Sequence, residues 1–125
     1  MIAYLDTHIA IRLAHGNLRI GRDAARLIKS VDLLVSPMVL VELEYLYEIN
    51  RLTVSGQDIL RKLQIEIGLR LCDLPFADVA KAALDEKWTR DVFDRMIVAQ
   101  AKVNGLAPLI SSDEIIADHY PRTVW

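Results

Sequence analysis

The sequence is short of several things, and each shortage removes a class of protein. Its 125 residues hold a single cysteine, Cys72, so neither a disulfide framework nor a cysteine-based zinc site can be built. Five glycines and four prolines are too few for a collagenous or low-complexity chain, and no linker or internal repeat interrupts it. Aromatic residues make up only 6%, and Trp88 and Trp125 lie too far apart to suggest a base-stacking surface. The longest near-continuous apolar stretch, Leu33 to Val41, is broken by Ser36 and Pro37 and falls well below the ~18 residues of a membrane span. Only Ile2 to Leu5 precede the first acid, which leaves no room for a secretory leader and leads us to expect a cytoplasmic protein. Charge of one sign is also lacking: the net charge is −2, too balanced for a general nucleic-acid binder.

What is present is 53% apolar residues in a length that suits one domain, expected to span 1–125, with enough core to fold without staples. The charge is unevenly placed. Residues 1–30 carry five basic and two acidic side chains, and residues 31–125 carry ten basic and fifteen acidic, so a basic surface can coexist with an acidic site.

Short apolar runs alternate with helical periodicity. Strands are expected at Ile2–Leu5, Leu33–Val35, Leu69–Cys72, Leu106–Ile110 and Thr123–Trp125. Helices are expected from about Ile9, from Leu18 to Val31, from Pro37 to Asn50, from Gly56 to Ile67, from Pro75 to Lys87, from Val92 to Asn104 and from Ser111 to Asp118. The alternation predicts an α/β fold with a central parallel sheet of four to five strands between two helical layers.

In such sheets the functional crevice lies beyond the carboxyl ends of the strands. The residues placed there are acidic. Asp6 follows the first strand, Asp113 follows the fourth after two serines, and Glu42 interrupts the apolar Met38–Leu43 helix. Asp91 and Asp94 share one face at the start of the Val92 helix. Any one of these can be a plain helix cap. Together they repel, and a hard divalent cation with all-oxygen ligation, Mg2+ or Mn2+, resolves the repulsion and equips the site for phosphoryl chemistry.

Four strings in order carry a resemblance: Leu5-Asp6-Thr7, Val35 to Leu43, Arg90 to Ala101, and Leu109 to Asp113. Together they resemble PIN-domain ribonucleases of the bacterial VapC toxin type, over practically the whole chain. Val92 stands where that family's Asp-Pro-Phe-Asp-Arg string has proline, a departure that bears on the local turn.

The resemblance implies a PIN-like three-layer α/β/α fold and a Mg2+- or Mn2+-dependent endoribonuclease. Asp6, Glu42, Asp94 and Asp113 would be its catalytic, metal-binding carboxylates, Asp91 an additional ligand, and Thr7 and Ser111 supporting residues. It implies cleavage of an RNA phosphodiester by metal-activated water, leaving a 5′-phosphate and a 3′-hydroxyl. It also implies a homodimer, a VapB-type antitoxin as partner, and no membrane association.

Arg19, Arg22, Arg26 and Lys29 recur at helical spacing and form a candidate stripe for an RNA backbone, the alternative being a solvated helix face. His8 and His15 read as surface histidines, and without a placed histidine base Ser111 and Ser112 read as caps rather than nucleophiles. Two other classes fit less well. A phospho-aspartate domain lacks an acid two residues after Asp6, where His8 stands, and lacks a lysine after the last strand. A vestigial PIN interaction module would not need the four core acids that this chain keeps.

Overall fold

Tyr4 and its two neighbours in the first strand are all buried, Ala3 and Leu5 at 0% exposure. A strand covered on both faces sits mid-sheet with helices above and below it. The computed structural model, which describes residues 1–17 and 19–125, bears this out. β1 (Ile2–Leu5), β2 (Asp32–Val35), β3 (Arg70–Leu71), β4 (Leu109–Ile110) and β5 (Thr123–Val124) form one parallel sheet in the order β3-β2-β1-β4-β5.

The chain moves outward from β1 through β2 to β3, then returns to place β4 on the other side of β1. This reversal puts a topological switch point between β1 and β4, the place in such sheets where functional residues gather. Asp6 leaves β1 there, and Ser111 leaves β4.

The helices are α1 (Thr7–Ala14), α2 (Arg22–Ile28), α3 (Pro37–Glu48), α4 (Gly56–Ile67), α5 (Phe76–Ala83), α6 (Val92–Val103) and α7 (Glu114–His119). Most start on caps visible in the sequence. Ser36 Oγ accepts from Met38 N–H with Pro37 at the first helical position, Ser55 Oγ accepts from Asp58 N–H, and Gly68, in the left-handed region at φ 67°, stops α4. The main core joins the sheet to Ile9, Ala24, Leu63, Ile97 and Ile116, and Val79, Ala83, Met96 and Ala99 form a smaller one between α5 and α6.

β3 and β5 are shorter than the expected 69–72 and 123–125, and three further boundaries differ. The helix expected over 18–31 begins only at Arg22, because Arg19 to Gly21 take no helical conformation; the expected first residue, Leu18, lies outside the described residues. α5 stops at Ala83, and the Glu86 carboxylate beyond it turns into the protein to meet Lys102 Nζ at 2.6 and 3.0 Å. The strand expected from Leu106 is only Leu109–Ile110. Gly105 and Leu106 take positive φ (66° and 55°), while the amides of Leu106 and Ala107 donate back to carbonyls of Lys102 and Ala101, closing α6 before the strand can start.

Candidate functional site

Asp6 is the best-anchored acid of the candidate site. Its backbone amide continues the sheet by donating to Ile110 O, and its side chain is 3% exposed. One carboxylate oxygen caps α1 by accepting from Thr7 N–H at 2.7 Å, and the other accepts from Ser111 Oγ at 2.8 Å. Ser111 Oγ accepts in turn from Asp113 N–H at 3.1 Å, so one hydroxyl ties the loop after β1 to the loop after β4. Burial raises the Asp6 pKa against the opposing pull of Ser111, His8 and Thr7, and Asp113 adds repulsion.

Asp94 carries the clearest electrostatic signature. It is half-buried in the first turn of α6, and its pKa is pushed up to about 7, first by desolvation and then by repulsion from Asp91, Asp6, Asp113 and Glu42. Glu42, half-buried on α3, is raised by burial and by the charges of Asp6 and Asp91, while the Thr7 hydroxyl and His8 act in the opposite sense. The Thr7 hydroxyl lies near enough to favour the ionised Glu42, yet it has no partner at hydrogen-bonding geometry although it is buried.

Asp91 and Asp113 fill the plain role of caps. Asp91 Oδ1 accepts from Asp94 N–H at 3.1 Å, and Asp113 Oδ1 accepts from the amides of Ile115 and Ile116 at 2.8 and 3.1 Å. The cap does not exclude a second use, because each carboxylate keeps a second oxygen.

Neither flanking arginine neutralises the acids. Arg95 Nε donates to Thr89 O at 2.8 Å, and Arg90 donates to the carbonyls of Lys87 and Thr89. Among the described residues no lysine or arginine forms an ion pair with Asp6, Glu42, Asp91, Asp94 or Asp113.

The sequence grouped these five acids as candidate ligands of a divalent-metal site, and the geometry qualifies that expectation. Among the described residues no three acid, histidine or cysteine side chains form a ready-made cation cage. The acids share one electrostatic neighbourhood, in which Asp94 is repelled by Asp91, Asp6, Asp113 and Glu42. Side chains that repel across an unneutralised site have no reason to close to coordination distance on their own. In chemistry the donor set fits a hard divalent cation: carboxylate oxygens, one unpartnered buried hydroxyl, and no lysine or arginine paired with the acids among the described residues.

The basic stripe is divided. Arg19 precedes α2, Arg26 lines a groove between α2 and β5, and Lys29 lines a separate apolar groove with Leu13 and Ile20. Two residues absent from the sequence-based set, Arg12 and Trp125, meet instead. The Arg12 guanidinium lies over the Trp125 ring, 5.2 Å from its centroid. The two are far apart in the chain, and spacing along the sequence carries no signal for such a pair.

The family model of the PIN domain matches residues 3–120. No curated protein matches the chain. Several solved structures are similar. A toxin–antitoxin complex from Klebsiella pneumoniae superposes with a TM-score of 0.66 at 19% identity, covering 98% of this chain and 96% of that one. VapBC2 from Rickettsia felis, bound to a DNA fragment from its promoter, gives 0.60 at 18% identity, covering 99% and 96%. VapC20 from Mycobacterium tuberculosis, a toxin that cleaves the sarcin-ricin loop, gives 0.56 at 19% identity, covering 94% of each chain. At these identities the likeness is one of fold.

Proposed function

This chain belongs to the PIN-domain family, and from that premise we propose that it is a divalent-metal-dependent endoribonuclease acting as the toxin of a toxin–antitoxin pair. The observation that carries the reading is Asp94, held near a pKa of 7 by burial and four other acids in a site where the chain supplies no lysine or arginine counter-charge. A cluster that resists ionisation at neutral pH needs a cation from outside.

Asp6, Asp94 and Asp113 would hold Mg2+ or Mn2+, with Glu42 and Asp91 as further acids of the set. When bound, the cation supplies charge neutralisation, polarisation of a phosphate oxygen and activation of water. The chain's own residues do the positioning. Ser111 donates to Asp6 Oδ2 and holds that carboxylate in one orientation, Thr7 N–H fixes its other oxygen, and the Asp113 amide fixes Ser111. Glu42, whose pKa is raised by burial against the opposing pull of Thr7 and His8, is the acid suited to accept a proton from water.

The toxin part of the proposal is supported by the similar structures: those from K. pneumoniae and R. felis are toxin–antitoxin assemblies, and M. tuberculosis VapC20 cleaves RNA. The partner would be a VapB-type antitoxin, the chain a single domain over 1–125, and the active form a homodimer. Val41, Tyr45, Tyr47 and Ile49, all at least 40% exposed on and just after α3, support the last point. No helix among the described residues is long and apolar enough to cross a membrane.

A second reading, an interaction module with an inactive site, is favoured by the lack of a ready-made cation cage among the described residues. One assay separates the two. Wild type should cleave RNA in Mg2+ or Mn2+ and stop in EDTA, and Asp6→Asn should be slower by orders of magnitude while still folded. Equal activity of Asp6→Asn in EDTA, or none from wild type with either metal, would defeat the nuclease reading.

A further inference from the structure

Arg12 is a half-buried arginine with no acid. It lies in the last turn of α1, and among the described residues it pairs with no carboxylate. Two contacts hold it instead: its NH1 donates to Arg19 O at 3.3 Å, and its guanidinium lies 5.2 Å from the centre of the Trp125 indole. The indole is itself fixed. It packs against Gly21 so closely that a Cβ there would stand 2.9 Å from two of its ring atoms and would collide with the Trp125 backbone carbonyl carbon. A guanidinium carries five N–H donors, and the carbonyl of Arg19 uses one nitrogen's worth. Among the described residues the others have no hydrogen-bond partner.

Its position relative to the acids follows from the fold. Ser111 N–H donates to Val124 O, so Trp125 leaves β5 at the same edge of the sheet where Ser111 leaves β4 and Asp6 leaves β1. Two strand spacings separate Asp6 from Trp125, roughly 10 Å. Along α1, Arg12 stands about 9 Å from Asp6 by helical rise. Between α2 and β5 a groove of about 370 Å³, lined by Arg26 and Arg122 with a single acid, Asp23, runs from Val124 toward Pro108 and Pro121 at the far ends of β4 and β5.

We propose that the Trp125-clasped Arg12 is a phosphate-binding subsite that holds the RNA backbone next to the cut, steering the strand from the acidic centre into the α2–β5 groove. The proposal rests on the ribonuclease reading for the identity of its ligand. An acidic centre repels a polyanion, so the substrate needs a cationic hold just outside it. A planar, pre-oriented guanidinium matches phosphate in a way a mobile lysine does not. The stripe read from the sequence placed such a hold on Arg19 to Lys29; the proposal adds Arg12 to it and keeps Arg26 in the lining of the groove.

The test is binding, kept apart from cleavage. A fluorescent single-stranded RNA oligonucleotide is titrated with protein in EDTA, by anisotropy, over a range of salt. Arg12→Gln should bind about tenfold more weakly than wild type, and the slope of log affinity against log salt should shrink by about 0.7, the value expected when one phosphate of a single strand is no longer neutralised. Arg12→Lys should keep the slope. Gly21→Ala, which displaces the indole without touching a charge, should weaken binding as well. Lys62→Gln, on the exposed face of α4, should match wild type.

If Arg12 only clamps the terminal strand, Arg12→Gln will lower the melting temperature and leave the salt slope unchanged; that result overturns the proposal. So does an equal loss in Lys62→Gln, or a wild type that binds no RNA. Because no metal is present, an Arg12 effect seen in a protein that never cleaves would defeat the nuclease reading alone.

Discussion

At the scale of single residues, the site's chemistry comes down to where charge has no partner. Asp94 has an ordinary pKa near 3.8 in an unfolded chain and about 7 in the fold. Below pH ~4 it is protonated in both states and has no effect on stability. Between those values the native state holds the proton more tightly, so metal-free stability should fall as pH climbs from about 4 through 7 and level off above it. Solvent around a half-exposed carboxylate damps the size of the fall, not its sign. Asp94→Asn should flatten the pH profile of thermal melting in EDTA and raise the melting temperature at pH ~8. A variant that melts lower than wild type at every pH would show that Asp94 is not under repulsive strain.

Glu86 shows the opposite case. Its carboxylate is 3% exposed and is met by Lys102 from α6. Removing one partner of a buried pair leaves the other desolvated and alone, at about 3–5 kcal/mol for a fully buried pair. Lys102 reaches solvent, so the loss for Lys102→Met should fall nearer ~2 kcal/mol, read as a shift in the denaturant midpoint at unchanged slope. RNA cleavage at a temperature where the variant is folded should be unaffected, since the pair lies outside the acidic cluster.

At the scale of elements, what the sequence made legible was whatever local chemistry decides. Ser55 and Gly68 bracket α4 at its observed ends, and Ser36-Pro37 starts α3 where it begins. Asp6 and Asp113 announced themselves twice, as caps and as acids after strands, and Asp91 as an acid at the start of α6 that also caps it, since a cap occupies only part of a carboxylate. The misses were set by distant contacts. Leu106 looks like the start of a strand, yet its amide is claimed by the end of α6. Periodicity ran the basic stripe through Arg19, while the chain before Arg22 is held by its own turn, in which Arg19 N–H donates to Asn17 Oδ1.

The α3 surface is a readable element of another kind. Its buried side is only Val39 and Leu43, and its apolar surplus faces outward, with Tyr45 5.9 Å from Phe93 of α6. If that surplus is a dimer interface, Val41→Asp with Tyr45→Glu should give a monomer by light scattering at tens of micromolar, where wild type gives a dimer. A wild type that is monomeric under the same conditions removes the interface.

At the scale of the whole molecule, the switch point between β1 and β4 explains why separate stretches of sequence act together. Asp6, Glu42, Asp94 and Asp113 come from four elements spread over most of the chain, and only the order β3-β2-β1-β4-β5 brings them to one edge. Their mutual repulsion, which raises the Asp94 pKa, is strain that a cation can relieve. A ligand present at a hundred times its dissociation constant, and indifferent to the unfolded chain, stabilises the native state by about 2.7 kcal/mol. For a domain of this length that is on the order of 10 °C in melting temperature. Millimolar Mn2+ should therefore raise the melting temperature of wild type by that order near neutral pH. The rise should shrink in Asp94→Asn and in Asp6→Asn, whereas Lys102→Met, although less stable at the outset, should keep the full increment. A wild-type melting curve that does not move with Mn2+ would mean that these acids share an edge of the sheet without sharing a metal, and the nuclease reading would lose its physical basis.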